Sequence, residues 1–285
     1  MLLIKAVIFT TVLFMYLHLQ HQFKKSNDLD ILKINEPIFP TRDKLDELCN
    51  YRQPIVFYNF QTPPELLASF QIAALLENHA TSDVQMRQVK TDDTTDKETT
   101  VFTQTTLKEA DLLWGKTYIS ERNASFLQET QLKRMMVRHD ALLRPTMVVQ
   151  CIYDLIMGAQ YGATPIRYEI NFRNFYLVTE GSVKIKLTVP NSSRCLQEQK
   201  DFENLEFRSR GGPEAETKVK WLEINLNQGE LVYIPPYWWY SIEIVSAKAC
   251  VCVYSYRTAM NVLAILPQLG QHFLQLRNIT QVHTP

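Results

Sequence analysis

Residues 162–189, GATPIRYEINFRNFYLVTEGSVKIKLTV, and residues 228–245, QGELVYIPPYWWYSIEIV, decide the fold. In the first, Val183, Ile185, Leu187 and Val189 alternate with Lys184, Lys186 and Thr188. Successive strand residues point to opposite sides, so the apolar set faces inward and the polar set outward. Glu180-Gly181-Ser182 is the turn joining this strand to residues 175–179. In the second stretch Asn227-Gln228-Gly229 is a turn, and residues 231–234 and 241–245 are strands. The two stretches are predicted to face each other in one small β-barrel.

Outward from this pair, Leu222, Ile224 and Leu226 define a further strand, and residues 249–256 another. Residues 190–220 form a long polar excursion containing Gly211-Gly212-Pro213, of the kind that is functional or disordered. Upstream, residues 41–50 predict a short helix and residues 55–60 a buried strand. Thr62-Pro63-Pro64-Glu65 opens a helix running to about residue 78, and residues 84–89 read as a strand. Residues 90–100, KTDDTTDKETT, read as a solvated loop; Asp92, Asp93 and Asp96 match a calcium loop only in charge. Thr106 and Glu109 form a capping box, Tyr118 and Ile119 an edge strand, and residues 126–143 a helix stopped by Arg144-Pro145. His139-Asp140 at its end is expected on the surface. Residues 148–157 are strongly apolar, and residues 260–276 close the chain as a helical segment. The fold class is α+β, dominated by a jelly roll with preceding helices.

The length of 285 residues suits one domain plus an appendage. Lys+Arg and Asp+Glu both number 30, and this zero net charge argues against a nucleic-acid partner. The five cysteines show no CxxC spacing and read as ordinary thiols; Cys250 and Cys252 share a strand face. Three N-glycosylation sequons, at Asn123, Asn191 and Asn278, do not establish a secretory route. Residues 6–22 carry no Lys, Arg, Asp or Glu, and as a helix would span about 25 Å. Lys5 can snorkel and extend the span. An uncleaved single-pass membrane anchor over residues 1–22 is the expectation; a cleaved signal peptide and a buried soluble helix are the alternatives. Residues 23–36 then form a stalk, residues 37–258 the main domain with its barrel core at 160–257, and residues 259–285 a C-terminal helix and tail.

The chain resembles the Jumonji-type (JmjC) cupin-like oxygenases over roughly residues 34–256. Arg52-Gln53-Pro54-Ile55-Val56 is similar to the family's first strand. Gly162-Ala163-Thr164-Pro165-Ile166 matches the approach to its His-x-Asp motif, and Asn174-Phe175 with Gly181 the strand and turn beyond. The run from Gln228 to Trp239 matches the segment that presents the distal histidine. The resemblance implies a double-stranded β-helix, Fe(II) and 2-oxoglutarate. The ligand positions do not carry over. Arg167-Tyr168-Glu169 stands in place of His-x-Asp, Tyr240 in place of the distal histidine, and Val183 in place of a 2-oxoglutarate-anchoring lysine. No histidine lies between Ala141 and Gln271, so the barrel cannot supply two. Both cofactors are therefore expected to be lost, and the protein to be a binding or structural pseudoenzyme. The alternatives are a 2-oxoglutarate-dependent hydroxylase or demethylase-like enzyme with a displaced site, and other chemistry at Arg167, Glu169 and Tyr240.

The candidate pocket comprises Arg167, Glu169, Tyr240, Asn174, Thr164, Trp238 and Trp239. Arg167 is expected to replace the metal's charge and pair with Glu169, with Tyr240 hydrogen-bonding across the barrel. These side chains either fill the old pocket or receive a protein or small-anion ligand. The two tryptophans either close the barrel mouth or line a groove.

Overall fold

The computed structural model describes residues 2–88, 102–115, 117–211 and 213–282. The chain begins with α1 (Leu2–Gln22), β1 (Leu32–Ile34), α2 (Arg42–Asn50) and β2 (Ile55–Phe57). Then come α3 (Pro64–Ser69), α4 (Ile72–His79), β3 (Asp83–Gln88), β4 (Phe102–Thr106), α5 (Leu107–Leu113) and β5 (Tyr118–Ser120). Next are α6 (Ala124–Glu129), α7 (Leu132–His139), β6 (Val148–Ala159), β7 (Arg167–Tyr168), β8 (Arg173–Glu180) and β9 (Ser182–Thr188). The excursion supplies α8 (Ser193–Leu196), β10 (Glu198–Asp201), β11 (Glu206–Ser209) and α9 (Pro213–Thr217). Last are β12 (Leu222–Asn227), β13 (Leu231–Ile234), β14 (Trp239–Ile244), β15 (Lys248–Thr258), α10 (Ala259–Ala264) and α11 (Leu266–Val282).

Two sheets pack face to face. The larger has nine strands in the order β1-β2-β13-β8-β15-β6-β5-β3-β4, and the smaller six, β10-β11-β7-β14-β9-β12. Strand alternation divides the core in two. On β6, β8 and β15, one face (Tyr153, Leu155, Met157; Phe175, Leu177; Cys250, Cys252, Tyr254, Tyr256) packs against the helices. The opposite face (Ile156; Tyr176, Val178; Val251, Val253) meets Val183, Ile185, Leu187, Tyr240 and Ile242 of the small sheet inside the barrel. Lys184 lies outside, 3.4 Å from Glu243. A third cluster on the outer face of the small sheet joins Tyr168, Phe207 and Trp239 to Ile265. Gly181 makes the β8–β9 turn at φ +74°, and a Cβ there would strike the Lys248 carbonyl and the Ser246 hydroxyl.

Several expectations need correction. Residues 23–36 are not a free stalk: β1 adds in parallel to β2, and Leu29 and Ile31 pack on the barrel core. The barrel extends beyond residues 160–257, because β2 and β6 are interior strands of the large sheet. β5 is interior too, between β6 and β3. The helices expected over 62–78 and 126–143 each break in two, at Phe70-Gln71 and at Thr130-Gln131. The first break buries Phe70, and the second turns on Gln131 at φ 62°. The capping box forms as expected, with Thr106 accepting from the Glu109 amide. Thr188, expected outside, is buried and bonded to Ser192. Residue 89 and the acidic loop at 90–100 lie outside the described residues. All five cysteines are free thiols. Asn123 is fully buried, its amide donating to Ser120 and the Leu155 carbonyl, so its sequon is not presented to solvent.

α1 is long and apolar enough to cross a membrane. Ile4, Val7, Ile8, Phe9, Val12 and Phe14 are all exposed, so the chain's own core does not cover this face of the helix. Only its end is covered: α1 touches α10, and Gln22 is buried.

Candidate functional site

The site is built on β7, two residues held between β11 and β14. Alternation sends Arg167 and Glu169 inward and Tyr168 outward, where its ring stacks on Phe207 at 5.1 Å and meets Trp239 edge-on. Tyr240 is the register partner of Arg167 across the β7–β14 ladder.

Arg167 is buried, but its main partner is not Glu169. Its Nη1 donates to Glu121 Oε2 at 2.7 Å and lies 3.4 Å from Glu206 Oε1. Its Nε donates to the Tyr240 hydroxyl at 3.0 Å, whereas Glu169 Oε1 is 4.0 Å away. Arg87 pairs with Glu121 and with Glu206, the latter at 2.6 Å, and Arg122 Nη2 reaches Glu206 Oε2 at 3.2 Å. Three guanidinium groups and two carboxylates thus form one lattice, buried except for the half-buried Arg122. Such a lattice survives burial only when its members satisfy one another, since each ion has left water at a cost of several kcal/mol.

Burial alone would raise the Glu121 carboxyl, but Arg167 and Arg87 outweigh it and hold it below its usual range. Burial likewise opposes ionisation of Glu206, yet Arg167, Arg87 and Arg122 bring it down to about 2. Glu169 goes the other way. Burial pushes its carboxyl up, and Arg167 and the Tyr240 hydrogen bond offset only part of this. The Tyr240 hydroxyl donates to Glu169 Oε1 at 3.1 Å and accepts from Tyr176 at 2.8 Å.

Above this floor is a cavity of about 640 Å³. Glu169, Asn171, Tyr240, Ser255 and Arg257 line its barrel side, and Val262, Leu269 and Phe273 its helical side. Arg257 donates through Nε to Asn171 Oδ1 at 2.6 Å and through Nη1 to Gln150 Oε1 at 3.1 Å. Asn171 Nδ2 donates in turn to Glu169 Oε2 at 3.3 Å.

The structure brings Arg167, Glu169 and Tyr240 together at the cavity. The other four candidates do not line it. Thr164 is tied to β14, its hydroxyl accepting from the Ile242 amide. Asn174 is buried behind Asn171 and Ser255. Trp238 sits in the barrel core with its indole donating to the Arg52 carbonyl, and Trp239 lies on the outer face bonded to Ser193. Adjacent strand residues point apart, so the tryptophan pair cannot line one groove.

Glu121, Glu206, Arg87, Arg122 and Arg257 were missed in the sequence. Glu206 comes from the polar excursion, which is folded rather than loose. Arg257 had a legible signal: it continues the inward set Val251, Val253, Ser255 on β15. Asp140, expected on the surface, is fully buried, accepting from Tyr153 at 2.6 Å and Tyr256 at 2.9 Å and pairing with Arg144 at 2.7 Å.

These residues do not fit the iron site that the resemblance implies. A guanidinium and a phenol, hydrogen-bonded to each other at 3.0 Å, stand at two of the three positions. Both oxygens of Glu169 already accept, from Tyr240 and Asn171. Among the described residues no three His, Cys, Asp or Glu side chains are grouped to hold a metal. His272 on α11 reaches the cavity rim, but its Nδ1 meets the Phe202 carbonyl at 2.8 Å. At the position the resemblance gives to the 2-oxoglutarate lysine, Val183 is core, and Lys184 beside it faces out.

No curated protein matches the chain. The family model described as a cupin-like domain matches residues 38–261, which takes in both sheets' central strands, β7 and β14 included. With that match over most of its length, the chain belongs to the cupin-like domain family.

Proposed function

We propose that the chain is a membrane-tethered cupin-like domain that binds a ligand in its barrel mouth and does not carry out iron-dependent oxidation. The observation that carries this reading is the position of Arg167. Its guanidinium stands where the family resemblance puts a metal ligand and is committed to Glu121, Glu206 and Tyr240. A fixed cation there repels a divalent one. The mouth is nonetheless not filled, since about 640 Å³ remains above the lattice, within the range of small-molecule sites.

Metal analysis of the purified full chain, with 2-oxoglutarate turnover read as succinate, tests the first half. The expected result is iron and manganese well below one per chain and no succinate above background. One metal per chain with 2-oxoglutarate-dependent succinate overturns it. The tether rests on α1, whose apolar residues are exposed. The full chain should stay with membranes through alkaline carbonate extraction, and a chain starting at residue 24 should not. Release of the full chain, or a mature N-terminus beyond residue 22, would favour a cleaved signal segment.

A further inference from the structure

We infer that the cavity takes a monocarboxylic acid with an apolar body, its carboxylate seated on Arg257. The inference rests on reading the barrel as a binding domain and names its ligand class. Arg257 is 8% exposed, and its two hydrogen bonds run to neutral amide oxygens, Asn171 Oδ1 and Gln150 Oε1. Among the described residues no carboxylate comes within 4.0 Å of its guanidinium, whereas Arg87, Arg122 and Arg167 each have one. Glu169 is the nearest negative charge and reaches Arg257 only through Asn171. A guanidinium taken out of water without a carboxylate in contact is costly to keep, and a planar carboxylate is the partner its fork matches.

Arg167, the anion receptor considered from the sequence, does not serve. Its guanidinium is already engaged by Glu121, Glu206 and the Tyr240 hydroxyl. Of the three arginines that line the cavity, Arg257 is the one with no carboxylate within 4.0 Å among the described residues.

Two further features narrow the ligand. Val253, Val262, Leu269 and Phe273 give the cavity an apolar wall suited to a hydrocarbon or aryl group. Glu169 and Glu206 face the same space, so a second negative charge on the ligand would meet repulsion. This selects monocarboxylates over dicarboxylates.

The test is direct binding to the full chain in detergent, by ligand-observed NMR titration. The probes are phenylacetate and hexanoate, with phenylacetamide, hexanamide and succinate for comparison. Each monocarboxylate should bind at least about tenfold more tightly than its amide and than succinate. Arg257→Gln should weaken phenylacetate by at least about tenfold. Equal binding of acid and amide, tighter binding of succinate, an unchanged Arg257→Gln variant, or no saturable binding of either acid overturns the inference. If Arg257→Gln does not fold, the acid–amide comparison on the unaltered chain still decides. Failure here leaves the metal and 2-oxoglutarate result untouched, so the ligand class and the non-oxygenase reading fall separately.

Discussion

Tyr240 stands directly across the β7–β14 ladder from Arg167, and its hydroxyl accepts the Arg167 Nε hydrogen at 3.0 Å. The same oxygen accepts from Tyr176 at 2.8 Å and donates to Glu169 at 3.1 Å. A phenol has one donor and two acceptor positions, and here all three are used. It joins the ion lattice below to the cavity carboxylate above. The position that would offer a lone pair to a metal is closed by hydrogen bonds instead.

Tyr240→Phe should therefore cost about 1–3 kcal/mol, because it leaves the buried Arg167 Nε and Tyr176 hydroxyl without their partner and takes one donor from the half-buried Glu169. Tyr176→Phe removes one donor and should cost about 1 kcal/mol or less. Denaturant midpoints of the two variants check this. Equal losses would show that Tyr240 is not the hub.

Arg167→Met should destabilise by about 3–5 kcal/mol, since Glu121 and Glu206 would lose a cation while remaining buried. Arg167→Lys should recover only part of the loss, because an ammonium cannot serve Tyr240, Glu121 and Glu206 in one plane. Chemical unfolding followed by tryptophan fluorescence reports both. A Met variant as stable as the parent would contradict the lattice.

Low pH should weaken the fold through Glu206. Its folded-state pKa of about 2 lies below its ordinary value of 4.5, so the unfolded chain holds the proton more strongly. The stabilisation is fully present above the ordinary value and is lost as pH falls through about 2, an effect on the order of 3 kcal/mol at most. Glu121 acts in the same direction. Glu169 and Asp154, both pushed up by burial, act oppositely and at higher pH, where the unfolded chain has already lost their protons. Glu206→Gln should lower stability and flatten the acid limb alone. An unchanged acid limb would mean that Glu206 is not held ionised by the arginines.

Two turn glycines should respond differently to alanine. Gly229 has φ +86° and open space around it, so Gly229→Ala should cost about 1–2 kcal/mol from backbone conformation alone. Gly181 has a similar φ of +74°, but its new Cβ would meet the Lys248 carbonyl. Gly181→Ala should cost clearly more, read as the larger drop in melting temperature. Equal drops would place the β8–β9 turn farther from β15.

Much of the barrel was legible because strand signals are local. Val183, Ile185 and Leu187 alternate with Lys184 and Lys186 whatever the rest of the chain does, and they lie in the core as that alternation requires. Pairing order was less legible. β1 and β5 are three residues each, too short to show a period, and their places in the sheet come from neighbours they reach only after folding. Both broken helices read as continuous because their apolar spacing carries across the break.

By itself the sequence determined the alternating strands, the glycine turns, the apolar N-terminal helix and a barrel without histidine, since each follows from residue identity and near-neighbour spacing. Only the tertiary structure decided what Arg167 pairs with. Glu169, two residues away, is nearer in sequence, yet Glu121 and Glu206, separated from Arg167 by 46 and 39 residues, hold its guanidinium. A long side chain leaning across a barrel finds the partners that other strands and loops bring within reach. For the same reason the guanidinium without a contacting carboxylate is Arg257, which β15 delivers to the cavity wall beyond 4.0 Å of Glu169 and Glu206.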